Sequence, residues 1–432
     1  VTGAPTSRSQ ALGERLARVE CPAFAHRRRL RAGDDAAPIV LASGHGSILL
    51  DVDGRRYLDL AAGFGAVLLG HGHPAVRRAL EEQGSRLVQG LGDVHATDAK
   101  VELLETLAAL HPDPRAKVLL AQSGADAVTA AIKTASLATG RDGLLAFEGA
   151  YHGLGYAPLA ACGFRASFRA PFAAQLSAHV RFAPFPGLGG AGLDEALAAV
   201  ERHLASGAIA AVLVEPVLGR GGCVVPPDSF LRDLCALAHR EGALVVADEI
   251  WTGLGRTGSM ARSLAVEAPV DLVCLGKGLG GGLPISACIG SDEAMQGWTR
   301  AGEVIHTSTH AGAPLACAAA RAVIETVRAE GLAARAVELG ARLCRRLEDA
   351  LDGSAKLRAV RGAGLLVGIE LDAPATAARA LARLATRGYL AVSGGVLGDV
   401  VTLSPALTIE EAPLLAFADA LRAVLDAVID EG

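Results

Sequence analysis

The chain has 432 residues, 51 % of them apolar and 20 % charged, with a formal net charge of −5. That length suffices for two or three units with large buried cores, and the composition excludes global disorder. No run of about 20 uncharged apolar residues occurs, so no membrane partner is expected, and the acidic balance argues against nucleic acid as a partner.

Lysine is scarce: Lys100, Lys117, Lys133, Lys277 and Lys356 stand against an otherwise all-arginine set of basic residues. A lysine in an unusual setting is therefore worth reading. The eight cysteines are scattered, with no CxxC and no His/Cys ligand cluster. This pattern predicts reduced core thiols, a cytoplasmic protein and no metal site. No charged stretch followed by an apolar one opens the chain, so no secretory signal is expected. Val1 reads as a valine-coded start or a trimmed terminus.

Residues 1–36 are polar and Arg-rich, and Arg27, Arg28 and Arg29 read as a solvated helix face. From Ile48 to Leu60 the pattern predicts a hairpin turning at Asp53-Gly54. Strands and helices then alternate. Val118–Gln122 reads as a buried strand, and Ala125–Thr139 as a helix closed by Gly140. Leu144–Phe147, Ala211–Glu215, Ala243–Asp248 and Leu272–Leu275 are four more apolar runs, and Pro227–Arg240 is a helix between two of them. Such alternation predicts an α/β unit with a mainly parallel sheet. After Gly312 come helices over Arg321–Glu330 and Ala333–Leu351. Short strands follow near Leu365–Leu371 and Val400–Leu403, then a last helix near Ile409–Ala427. These form a smaller α+β unit.

Ligands of parallel α/β sheets sit at the carboxyl ends of the strands, so the residues after each strand carry the functional signal. Ser123-Gly124-Ala125 opens a helix, which is either an anion site or an ordinary strand–helix turn. Tyr151, in Glu148-Gly149-Ala150-Tyr151-His152-Gly153, either stacks on a flat ring with support from His152 or is a surface-loop aromatic. Asp248 and Glu249 end an apolar strand, where a buried acid needs a cation, a metal or solvent. Gly276-Lys277-Gly278 places a lysine at a buried strand end, where desolvation favours a nucleophilic amine. Gly276, Gly278 and Gly281 also fit G-x-G-x-x-G. Pro284 and a strand-like run follow, however, and no acid stands at the required distance. Together, an anion-binding helix start, a stacking aromatic, a strand-end aspartate and a strand-end lysine match the needs of pyridoxal 5'-phosphate.

From about Ser43 onward the chain resembles the class III (ω-type) aminotransferases, which are fold type I pyridoxal-phosphate enzymes. The segments that carry the resemblance, in order, are DVDGRRYLDLAAGFGAVLLGHGHPAV, SGADAVTAAIKTASLATGR, GAYHG, EPVLGRGG, ADEIWTGLGRTG, GKGLGGGLPISA, HTSTHAGAPLACAAA, VRGAGLLVGIEL and LSPALTI. The resemblance implies a large unit with a mainly parallel seven-stranded sheet over 61–325. It also implies a small unit built from 1–60 and 326–432. Lys277 would form the internal aldimine, Asp248 would bind the pyridinium nitrogen, and Glu215 would be an acid beside it. Ser123, Gly124 and Ala125 would hold the phosphate. Tyr151 and Ile250 would sandwich the ring, with His152 and Trp251 beside it. Thr309 would reach the neighbouring subunit's phosphate, which implies a homodimer. Phe64, Arg220 and Trp251 would face the substrates, a small-molecule amine and a keto compound.

The chain also departs from the family pattern. Arg220 replaces a common Glu and Thr402 a common Arg, so the pair that admits 2-oxoglutarate is changed on both sides. Trp251 stands where Gln is usual, His310 where an aromatic is, Ala313 where Asn is, and Asp126 replaces a common Glu. Arg220 is expected to offer its guanidinium to a substrate carboxylate. The reaction implied is transamination. A racemase, epimerase or aminomutase on the same scaffold is the alternative, and a non-enzymatic or nucleotide-binding protein is a third reading.

Overall fold

A computed structural model describes residues 7–32 and 38–429. At its centre lies a seven-stranded sheet. Its strand order is Lys117–Ala121, Ser286–Gly290, Leu272–Leu275, Leu244–Asp248, Ile209–Val214, Gly143–Phe147 and Val180–Ala183. The neighbours from Leu272–Leu275 through Val180–Ala183 pair in parallel. Ser286–Gly290 runs antiparallel to both of its partners. Ile209–Val214 and Gly143–Phe147 are buried at every position, as expected of strands covered by helices on both faces. Gly124–Thr139 packs against one face with its alanine-rich side, and Phe230–Arg240 packs in the larger core cluster.

Two smaller four-stranded sheets flank this core. One is antiparallel throughout, in the order Leu357–Ala363, Leu366–Leu371, Val400–Leu403, Val392–Gly394, so that its last two strands are out of chain order. In the other, Leu41–His45, Ile48–Asp51 and Arg56–Asp59 are antiparallel, and Tyr389–Leu390 joins Arg56–Asp59 in parallel. The first strands of the chain thus share a sheet with a strand from near its end. The turn at 52–55 is held from below. Asp51 Oδ1 accepts the backbone N–H groups of Asp53 and Arg55, both at 2.9 Å, and Gly54 takes φ 83°. Asp53 in turn accepts from Arg8 N and Ser9 N at the start of the helix Arg8–Val19.

The expected elements are present, with shifted ends. The helix expected over Pro227–Arg240 begins at Phe230, and the one expected from Arg321 begins at Pro314, where proline suits the first turn. Val180–Ala183 and Leu357–Ala363 were not expected as strands. Each is only partly buried and carries arginine, so neither shows an apolar run. Of the Arg27–Arg29 run, Arg28 is exposed and pairs with Glu20. The side chains of Arg27 and Arg29, and residues 1–6, 33–37 and 430–432, lie outside the described residues.

Gly340 lies inside the helix Leu332–Leu351, and a methyl group there would overlap the carbonyl oxygen of Gly364. Glycine to alanine in a helix interior normally stabilises by about 0.5–1 kcal/mol. Gly340→Ala should instead lower the melting temperature, with an overpacking cost of about 1–3 kcal/mol. Thermal melts of the two proteins check the sign.

Candidate active site

Five segments, each following a strand of the large sheet, meet at one end of it. Gly276 ends the strand Leu272–Leu275 in extended conformation, and Lys277 follows with φ 41°. A left-handed backbone at a lysine is uncommon and marks a position held by its surroundings. Burial pushes the Lys277 amine below its ordinary value. Asp248 and Glu215 oppose that shift, and Arg220 adds to it. The amine lies 4.7 Å from the centre of the Trp251 ring.

Asp248 ends the neighbouring strand, in register with Cys274, and is 3 % exposed. Its Oδ2 lies 2.7 Å from His152 Nδ1, and its Oδ1 accepts from Ile250 N at 3.1 Å. His152 was expected to support Tyr151; it pairs with the aspartate instead. Its other ring nitrogen, Nε2, is buried without a partner. Glu249 points away into a separate network. It accepts from Ser263 N at 2.6 Å, from Ser263 Oγ at 2.8 Å and from Thr252. The two adjacent acids are therefore both satisfied by neighbouring side chains and backbone.

Glu215 follows the strand Ile209–Val214 and is 5 % exposed. Its carboxylate bridges two loops, accepting from Tyr151 N at 2.7 Å and Gly219 N at 3.0 Å. Burial, with Asp248 nearby, pushes its pKa up to about 7, and His152 opposes the shift. Tyr151 meets Phe164 edge-on with ring centres 6.2 Å apart. The Arg220 guanidinium lies 4.5 Å over the Tyr151 ring, 5.1 Å over Phe164 and 5.9 Å over Phe168.

The helix Gly124–Thr139 starts beside these groups. Ser123 caps it, its hydroxyl accepting from Asp126 N at 3.2 Å. That leaves the N–H groups of Gly124 and Ala125 without intrahelical acceptors, as at any helix start. A side chain at Gly124 would sit 2.8 Å from Ile250 Cδ1, and one at Gly153 would sit 2.7 Å from Ala125 Cβ. Trp251 fits its place because Gly65 and Gly219 lack side chains. A Cβ on either would lie 2.7 Å from the indole. Its Nε1 is buried without a partner.

Phe64 and Thr309 lie at the margin. Phe64 is 44 % exposed, with φ 60°, in a left-handed run from Ala62 to Gly65. Thr309 is exposed, and its carbonyl accepts from Gln89 Nε2 at 2.7 Å. The adjacent Ser308 Oγ accepts from Gln122 Nε2 at 3.0 Å, which ties this segment to the strand end before Ser123. Sequence reasoning missed the rings of Phe164 and Phe168 beneath Arg220 and the glycine slot around Trp251. Nothing in their spacing marks either.

The family model for aminotransferase class-III matches residues 30–425. The chain belongs to the class III aminotransferases. It is 42 % identical to the acetylornithine aminotransferase of Mycobacterium tuberculosis over 398 residues, covering 91 % of this chain and 93 % of that one. It is 35 % identical to the 5-aminovalerate aminotransferase of Pseudomonas aeruginosa over 390 residues, covering 87 % and 91 %. The solved ornithine aminotransferase of Toxoplasma gondii matches with a TM-score of 0.81 at 27 % identity, covering 99 % of this chain and 100 % of that one. An amine transaminase from an uncultivated Pseudomonas species, in its PLP-bound internal aldimine form, matches with a TM-score of 0.84 at 28 % identity, covering 92 % and 96 %. A class III aminotransferase is a pyridoxal-phosphate enzyme of fold type I, and the mainly parallel seven-stranded sheet agrees.

The residues of this aminotransferase fit that cofactor. A buried carboxylate, a lysine of lowered basicity and a helix start with free N–H groups face one space. Two buried donor or acceptor atoms there, His152 Nε2 and Trp251 Nε1, have no protein partner.

Glu215 makes a testable signature in the cofactor-free protein. Its folded pKa of about 7 exceeds its ordinary 4.5, so the folded state holds the proton more tightly. The stability this contributes is complete below pH 4.5 and is lost as pH rises through about 7. Glu215→Gln should flatten that fall, which amounts to at most about 3 kcal/mol. Melting curves from pH 4 to 8, on the order of the window set by the two values, check it.

Proposed function

We propose that this aminotransferase takes the amino group from a compound with a terminal primary amine and passes it to a keto acid. The names of its relatives, which act on acetylornithine, 5-aminovalerate and ornithine, support that donor class. The observation that carries the site assignment is the placement of Lys277 beside Trp251, next to the buried Asp248–His152 pair. When bound, pyridoxal phosphate supplies the electron sink that accepts the pair from the substrate's Cα–H bond.

The chain's own residues do the rest. Asp248, oriented by His152, holds the proton on the ring nitrogen. Gly124 and Ala125 donate to the phosphate. Ile250 and Tyr151 enclose the ring. Lys277 is the residue that would hold the cofactor covalently. Its amine, held at lowered basicity by burial, is the base that would take the proton from the substrate Cα. Glu215 holds the Tyr151 and Gly219 loops at the distance this needs. Residues 61–325 form the cofactor-binding unit, an assignment supported by the sheet lying wholly within 117–290.

A homodimer with Thr309 reaching the partner's phosphate belongs to this reading. Its support is an exposed apolar set around that segment, comprising Leu87, Val88, Leu91, Val94, Val304 and Ile305. A cytoplasmic location is supported by eight cysteines that are all free thiols.

Lys277→Ala should retain cofactor but lose turnover by at least about 10²–10⁴-fold, the scale of a missing general base. Borohydride reduction of the native enzyme, followed by peptide mapping, should label Lys277; a label on Lys133 or Lys356 would overturn the assignment. An amine-donor screen with pyruvate and 2-oxoglutarate as separate acceptors tests the substrate class. Loss of optical purity of a single enantiomer with no acceptor present would point to racemisation instead. Activity on dilution should fall together with dimer dissociation measured by light scattering.

A further inference from the structure

Arg220 was expected to await a substrate carboxylate. The structure sets its guanidinium against three aromatic rings, Tyr151, Phe164 and Phe168. We propose that Arg220 is a positioning residue, whose stacking on Tyr151 within this aromatic box locks the tyrosine ring as a rigid wall of the site. The inference rests on the reading that Tyr151 encloses the cofactor ring.

The two residues are joined twice. Glu215 holds the backbone N–H of Tyr151 with one oxygen and that of Gly219, the residue before Arg220, with the other. The side chains then meet at 4.5 Å. The backbone of Arg220 is fixed as well, since its carbonyl accepts from Gly395 N at 3.0 Å. Both ends of the arginine are thus anchored, and the box around it is apolar: Leu159, Cys162 and Phe164 are buried, with Tyr151 and Phe168 packed on them. A guanidinium suits this place because it is planar, stays charged and stacks on ring faces with little loss of hydration. A lysine would bring a compact, strongly hydrated charge with no flat face. The fixed charge has a second effect, because Arg220 is among the groups that hold the Lys277 amine below its ordinary value.

The test compares Arg220→Met and Arg220→Lys with the native holoenzyme. Methionine keeps a long apolar stem and removes the charge. Cofactor release, followed by loss of visible absorbance on dilution, should be about 3- to 30-fold faster in Arg220→Met, the scale of a desolvated cation–π contact. Donors with and without a carboxylate should lose kcat/KM alike. The limb of the pH–rate profile set by Lys277 should move up in Arg220→Met and stay in place in Arg220→Lys, which keeps the charge but not the stacking. Phe164→Leu, which thins the box and leaves Arg220 intact, should also speed release. Unchanged release in Arg220→Met, with the loss confined to carboxylate-bearing donors, would make Arg220 a carboxylate receptor and overturn the proposal. Should Arg220→Met fail to fold, Phe164→Leu and Phe168→Leu carry the same test. If borohydride labels a residue other than Lys277, the functional reading fails. The stacking then stands or falls on a thermal-melt double-mutant cycle of Arg220→Lys with Phe164→Leu in cofactor-free protein, where additivity would overturn it.

Discussion

The site is governed by the difficulty of burying charge. Asp248, Glu215 and Lys277 stand at the ends of buried strands and crowd into one low-dielectric space. A buried charge is costly unless it is paired or hydrogen-bonded. Each group meets the cost differently. Asp248 takes an imidazole and a backbone N–H. Glu215 takes two backbone N–H groups from separate loops. Lys277 has the field of both carboxylates against the penalty of burial. These local remedies are also what bring the loops together, so the geometry of the site follows from the neutralisation of its charges.

The glycines around Trp251 show the same economy from the side of volume. An indole is the bulkiest side chain, yet it sits between two loops in a space that a single methyl on Gly65 or Gly219 would close. Gly65 belongs to a stretch of left-handed backbone held at its start by Asp59, whose Oδ1 accepts from Ala61 N at 3.0 Å and Ala62 N at 2.8 Å. Ser404 adds a bond from its hydroxyl to the Ala61 carbonyl at 3.1 Å. The wall of the site therefore depends on strands far from it in sequence.

What could be read from the sequence was what is locally coded. A strand-end lysine between glycines, an acid closing an apolar run and a helix bounded by Ser123 and Gly140 all appear where spacing placed them. Buried strands of the central sheet announced themselves as unbroken apolar runs. The half-exposed strands Val180–Ala183 and Leu357–Ala363 did not, since arginines interrupt them. The partner of His152 was equally hidden. Its neighbour in sequence, Tyr151, suggested one role, while the fold turned the imidazole toward an aspartate on another strand. The aromatic box beneath Arg220 needs residues from the segments around 151, 164 and 220. Their meeting is a property of loop paths, and no periodicity encodes it.

The parallel pairing of Arg56–Asp59 with Tyr389–Leu390 shapes how the chain is made. As the polypeptide leaves the ribosome, Leu41–His45, Ile48–Asp51 and Arg56–Asp59 can zip into a meander at once, because their connections are short. Their open edge then waits. Leu58 N and Leu60 N find their acceptors in Gly388 and Leu390, which are synthesised far later. Through most of translation this edge presents unpaired N–H groups beside apolar side chains, the state in which nascent chains join the wrong partner. A ribosome that stalls before residue 388 would leave a nascent chain carrying an adhesive strand.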